Sequence, residues 1–142
     1  MGTGRDRVER LFAAIDSKQF DRLDEVFAPG AELISPDGAF KGSAEIGAYM
    51  ASWNAGFPDF RHTIDAAVEG DGVVAIEARW TGTHTGPLAA PTGDIPATGK
   101  EVTLWFAGVT RYEGDLVTSV HAYFDRVALM AQLGLIPTHA SA

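Results

Sequence analysis

Near the start of the chain Val8, Leu11, Phe12 and Ile15 recur at helical spacing, with Arg7, Glu9, Arg10 and Asp16 between them. That period predicts an amphipathic first helix with one buried face. Residues 17–20 break it. Asp21 is placed to cap a short second helix through Leu23 and Val26, which Pro29-Gly30 ends. Ala31–Ser35 reads as a short strand and Pro36-Asp37-Gly38 as a turn. From Ser43 to about Trp53 the helical spacing returns, with Ser43 as N-cap and Ile46, Met50 and Trp53 on one side.

Beyond that helix the period shortens to two. Phe60–Val68 and Val73–Thr83 alternate like strands around the turn Glu69-Gly70-Asp71-Gly72. Thr85–Thr98, rich in Gly and Pro, reads as a long rim loop. Glu101–Tyr112 and Leu116–Phe124 form a second strand pair around Glu113-Gly114-Asp115, and a tail helix runs to Leu133. Helices first and four antiparallel strands afterwards give an α+β class.

Alternation sorts the side chains. The last strand offers Leu116, Thr118, Val120, Ala122 and Phe124 to the concave side of the sheet. The first long strand offers Phe60, His62, Ile64 and Val68, and the second Val74, Ile76, Ala78 and Trp80. The third is apolar on both faces, with Thr103, Trp105, Ala107 and Val109 opposing Leu104, Phe106, Gly108 and Thr110. The expected pocket wall is Phe60, His62, Ala78, Trp80, Trp105, Val120, Ala122 and Phe124, closed from the helix side by Phe12, Leu33 and Trp53. Three tryptophans around one cavity suit a flat or polycyclic apolar ligand. A sheet apolar on both faces predicts a homodimer through its convex side.

Composition narrows the function classes. A chain of 142 residues, 46% hydrophobic and 21% charged, suits one globular domain. Its expected extent is 4–138, with 139–142 as a disordered tail. The net charge of -8 argues against nucleic acid and anionic membrane as partners. Without cysteine there is no disulfide, thiolate nucleophile or Cys-ligated metal. No apolar run approaches the roughly 20 residues of a membrane span. The polar start of the chain lacks an apolar signal core, so a soluble, cytoplasmic protein is expected.

Four landmarks then occur in order: Phe57-Pro58-Asp59-Phe60; Gly82-Thr83-His84-Thr85-Gly86-Pro87; Pro96-Ala97-Thr98-Gly99-Lys100; and Tyr123-Phe124-Asp125 before Gln132-Leu133-Gly134. In this combination the chain resembles the SnoaL-like polyketide cyclase family, small α+β cones around a greasy pocket. The resemblance implies a hydrophobic, polyketide-like ligand. It also implies where catalysts should stand. The aldol-type cyclases' aspartate would fall on Ala122 and their histidine on Trp105. The catalytic set of limonene epoxide hydrolase, a similar cone, would fall on Leu33, Ser35, Ala78, Trp80 and Ala122, where only Ser35 is polar. Neither alanine nor tryptophan moves a proton.

The remaining acid/base candidates are His62, His84 and Asp125. His62 is either a base with its proton affinity set by burial or a core histidine bonded to a carbonyl. His84 either points into the pocket mouth or ties down the Gly-rich loop. Asp125 either reaches the rim or caps the tail helix. His62, His84, His121 and His139 show no metal-ligand spacing, and no phosphate loop or dinucleotide fingerprint is present, so no cofactor is expected. Three readings stay open: acid/base cyclisation or isomerisation of a hydrophobic carbonyl compound, a non-catalytic apolar ligand-binding or dimeric scaffold protein, and a polyketide hydroxylase.

Overall fold

Thr3 starts the first helix with a reciprocal pair of hydrogen bonds. In the computed structural model, which describes residues 2–136, the Thr3 side chain accepts from the Asp6 N–H and the Asp6 carboxylate accepts from the Thr3 N–H. Helix α1 (Gly4–Asp16) buries Val8, Leu11 and Ile15, as the spacing predicts. Arg7, expected on the polar side, is buried instead. Its guanidinium lies over the Tyr112 ring and donates to the carbonyls of Gly2, Thr3 and Gly114. A 3-10 turn (Phe20–Glu25) follows.

Strand β1 (Phe27–Ser35) begins earlier than expected and runs through Pro29-Gly30. It tolerates the proline because its register with its neighbour shifts between Phe27 and Glu32, where no ladder bond is needed from that residue. Strand β2 (Gly38–Lys41) folds back on β1 as a hairpin around Asp37. Helix α2 (Gly42–Gly56) comes next. Ser43 is not its cap: Lys41 holds that position, and its N–H donates to Glu45.

The remaining strands are β3 (Arg61–Gly70), β4 (Val73–Thr83), β5 (Glu101–Glu113) and β6 (Leu116–Phe124), before helix α3 (Arg126–Gln132). All six strands form one sheet in the order β2-β1-β6-β5-β4-β3. The four long strands of the sequence reading are therefore extended by a hairpin, with β1 lying parallel to β6. The fold is α+β, a curved sheet packed on helices. Among the described residues no helix is long and apolar enough to cross a membrane. His139 and the expected tail lie outside the described residues, as does the expected boundary at 138.

Two bulges redistribute side chains that strict alternation assigns otherwise. Ile64 pairs with Ala78 but Ala66 pairs with Glu77, so Asp65 is an extra residue. Beyond it the faces exchange, Ala67 packs on the core, and Val68 is 72% exposed. On β6, Arg111 pairs with Ser119 and Tyr112 with Val117, so Thr118 is the extra residue. Val117 is buried as a result.

Candidate active site

A cavity of about 90 Å3 lies between the concave sheet face and the helices. Its wall is nearly all carbon. Leu11, Phe12 and Ile15 come from α1, Met50 and Trp53 from α2, and Ile76, Trp80, Leu104, Phe106, Val120, Ala122 and Phe124 from the sheet. Leu33 contributes from β1. Ser35, Tyr49, His62 and Thr110 add hydroxyl and imidazole groups, and Trp53 and Trp80 bring indole N–H groups.

Most of the expected wall is in place, with three differences. Ala78 does not line the cavity but is buried in the core beside Val8, Val74 and Ile76. Trp105 is on the convex outer face and 68% exposed, so the inward set of β5 is Leu104, Phe106, Gly108 and Thr110. The third strand's two-sided apolarity could not decide this; pairing of Arg79 with Trp105 and of Trp80 with Leu104 does. A histidine carried over to Trp105 would thus face outward, and its inward neighbours Leu104 and Phe106 carry no proton either. Phe60 is fully buried behind the wall, stacked on Trp80 and edge-on to His62. Its position is packing, not lining.

His62 enters the cavity beside Phe12, whose ring stacks on the imidazole at 4.4 Å. Asp16, the last residue of α1, holds it from behind. Its Oδ1 lies 2.7 Å from Nδ1, and its Oδ2 accepts the His62 backbone N–H at 2.9 Å. With a carboxylate at Nδ1, the neutral imidazole carries its proton there. Nε2, which has no hydrogen-bond partner among the described residues, keeps its lone pair. The sequence reading placed Asp16 on the polar side of α1 and did not connect it to His62, 46 residues away.

The opposite wall holds a second polar group. Ser35 Oγ and the Tyr49 hydroxyl are 2.9 Å apart, and Tyr49 donates to Asp37, which also pairs with Arg126 at the start of α3. The Asp37 N–H donates to Ser35 Oγ. Burial and the bond to Asp37 push the Tyr49 hydroxyl well above the ordinary tyrosine range, so it stays protonated. Its one proton is committed to Asp37, so in the Ser35–Tyr49 bond the Ser35 hydroxyl is the donor and the Tyr49 oxygen accepts. Tyr49 was legible in principle, since it falls on the Ile46–Met50–Trp53 face of α2. Asp37 and Arg126 were not, because the hairpin and α3 bring them together.

His84 and Asp125 lie outside this cavity. His84 is completely buried. Its Nδ1 lies 2.9 Å from Thr98 Oγ1 and accepts the Thr98 N–H at 3.2 Å, while its backbone binds Lys100 and Gly99. The ring stacks on Phe57. Two donors on Nδ1 leave the proton on Nε2, which has no hydrogen-bond partner of good geometry. Burial pushes the imidazole below its ordinary value, against a smaller upward pull from the Ile95 backbone. His84 thus pins both ends of the rim loop. Asp125 caps α3, its Oδ1 accepting the N–H groups of Val127 and Ala128 at 2.8 and 3.2 Å.

Comparison with known proteins agrees with this architecture. No curated protein sequence matches the chain. Among solved structures, a proposed SnoaL-like polyketide cyclase from Jannaschia sp. CCS1 is 23% identical, with a TM-score of 0.80 over 94% of this chain and 93% of that one. IdmH, a proposed polyketide cyclase from Streptomyces antibioticus, is 22% identical, with a TM-score of 0.79 over 94% and 99%. AclR, a proposed hydroxylase from Streptomyces galilaeus, is 19% identical, with a TM-score of 0.77 over 94% and 86%. At these identities the structures establish the shared fold. The family model for the SnoaL-like domain matches residues 8–120. With its curved six-stranded sheet packed over an apolar cavity and the family model matching most of its length, the chain belongs to the SnoaL-like domain family.

Proposed function

We propose that this protein is an acid/base enzyme acting on a small, neutral, carbonyl-bearing apolar molecule, by isomerisation or intramolecular cyclisation. The observation that carries the reading is the His62–Asp16 pair opening onto a carbon-lined cavity. His62 Nε2 accepts the proton from the carbon next to the carbonyl. Asp16 stabilises the imidazolium that forms. The Ser35 hydroxyl swings from the Tyr49 oxygen to donate to the carbonyl oxygen as charge gathers there. Return of the proton from His62 to a different carbon completes an isomerisation. For cyclisation, the enolate carbon attacks a second carbonyl of the same molecule, and His62 protonates the resulting alkoxide.

Sheet order supports a substrate lying between these two groups. His62 is on β3 and Ser35 on β1, separated by three strands. In a flat sheet that is about 19 Å, at roughly 4.8 Å per strand step. Both reach one cavity because the sheet curls.

Cavity size sets the class of molecule. About 90 Å3 is less than an engineered cavity of roughly 150 Å3 that takes up benzene. A cavity of this size suits a short chain or one small ring, and a polycyclic ligand requires Trp53 or its neighbours to move. The wall itself carries no full charge while His62 is neutral; Asp16 and Asp37 stand behind it, held by His62 and by Tyr49 and Arg126, so no wall residue balances a charged ligand.

The test is exchange of α-protons for deuterium in acyclic, five-membered and six-membered ketones, followed by NMR in D2O. Catalysed exchange that His62→Gln abolishes supports the reading. Tight binding of the same ketones with no exchange at any pH would instead establish a ligand-binding protein.

The same proposal includes a homodimer. The convex face exposes Trp105 (68%) and Tyr123 (60%) beside Ala107, and a second copy of the chain would cover them.

A further inference from the structure

Lys18 follows α1 with a φ of 65°, the left-handed region, where it is the one non-glycine residue among those described. A lysine has no intrinsic reason to adopt this conformation, and such residues persist where surrounding contacts over-determine them. Here the contacts are specific. Its Nζ donates to the Phe60 carbonyl and sits 3.0 Å from the centre of the Phe60 ring. The edge of that ring packs on His62, with 5.8 Å between centroids. Two residues earlier, Asp16 holds both the backbone N–H and Nδ1 of His62. The end of α1 therefore grips the start of β3 at two points, Asp16 on His62 and Lys18 on Phe60.

Resting on the acid/base reading of the cavity, we propose that Lys18 is a positioning residue for His62. Its clamped ammonium, through the Phe60 ring on one side and Asp16 on the other, fixes the imidazole's approach to the cavity. A positive charge beside the pair opposes a second one on the ring. Burial lowers the Lys18 ammonium from the ordinary lysine value, with Asp16 and Asp59 pulling the other way, so Lys18 acts on the same carboxylate that holds His62. Among the described residues, the rings packed on the imidazole are all uncharged. Strands β4 and β5 present Trp80 and Phe106, and α1 presents Phe12. Arg79 and Asp65 pair with each other on the outer face, and Arg61 is exposed there by alternation.

The experiment is an NMR titration of the His62 ring in the full chain, comparing wild type with Lys18→Gly, Lys18→Met and Lys18→Arg, each with a thermal melt. Glycine suits the left-handed position after a helix, so Lys18→Gly melts at or above wild type. In both Lys18→Gly and Lys18→Met the His62 titration moves to higher pH by about 0.5 unit, the scale of one partly screened charge. Lys18→Arg restores the wild-type curve. If Lys18→Gly does not fold, Lys18→Met, which keeps the stem over Phe60, decides the matter. An unchanged His62 titration in folded variants overturns the proposal. Because the titration needs no substrate, a shift without ketone exchange sinks the acid/base function and leaves the Lys18 coupling standing.

Discussion

Asp16 binds His62 twice, once through the imidazole Nδ1 at 2.7 Å and once through the backbone N–H at 2.9 Å. The ring can neither flip nor turn without losing a bond to the same carboxylate. That fixes the tautomer and aims Nε2 away from Asp16.

Replacing Asp16 with Asn keeps the shape but removes the charge that steadies an imidazolium. Ketone exchange should fall about 100-fold to 10,000-fold, the usual contribution of a positioned base. His62→Gln should fall at least as far. The rate in D2O against ketone concentration separates this from lost binding: kcat drops while KM stays near wild type.

Trp53 touches Tyr49, Phe57, Trp80 and Phe124 at ring separations of 5.2–6.5 Å. Trp53→Ala should cost about 3–5 kcal/mol and enlarge the cavity. The variant should then bind bicyclic ketones better than wild type does. A thermal-shift panel graded by ligand size reads this out. Equal preference in both proteins would mean that Trp53 does not limit the size of the guest.

His84 makes stability pH-dependent. Its folded-state value lies below the unfolded value of about 6.5, so the unfolded chain takes up a proton first. Its contribution is complete above about pH 6.5 and is lost as pH falls from there toward the folded value. Wild type should therefore lose stability as pH falls below about 6.5, with hydrogen exchange rising first in the 85–98 loop. His84→Gln should flatten the curve in that window. An equally steep curve in the variant would place the titration elsewhere.

Trp105→Arg puts a charge on the exposed convex face without touching the cavity. If that face joins two copies, sedimentation velocity should show wild type as a dimer and the variant as a monomer with an unchanged melting profile at low concentration. A monomeric wild type at high concentration would remove the homodimer from the proposal.

Much of this protein was readable along the chain. The helical period around Val8–Ile15 and the two-residue period after Phe60 are local consequences of burying one face, and both elements stand where those periods put them. The landmarks around His84 and Gln132 place the chain in its family because loop chemistry, such as the Thr98–His84 bond, is set by neighbours close in sequence. The candidate set was only partly readable. His62, Trp80, Ala122 and Phe124 face the cavity as alternation requires, because each lies on the unbulged side of its strand, and Trp53 does so through the helical period of α2.

Tertiary structure alone decided the rest. One extra residue at Asp65 or Thr118 reverses every face beyond it, and no local pattern marks where a strand bulges. On β5, where both faces are apolar, only pairing with β4 sends Trp105 outward and Leu104 inward. The polar partners were hidden for a related reason. Asp16 reaches His62 across 46 residues and Arg126 reaches Asp37 across 89, so neither pair leaves a periodic trace. Period and turn chemistry report what a residue does to its neighbours in the chain. Which distant carboxylate stands behind a histidine is settled by how the sheet curls over the helices.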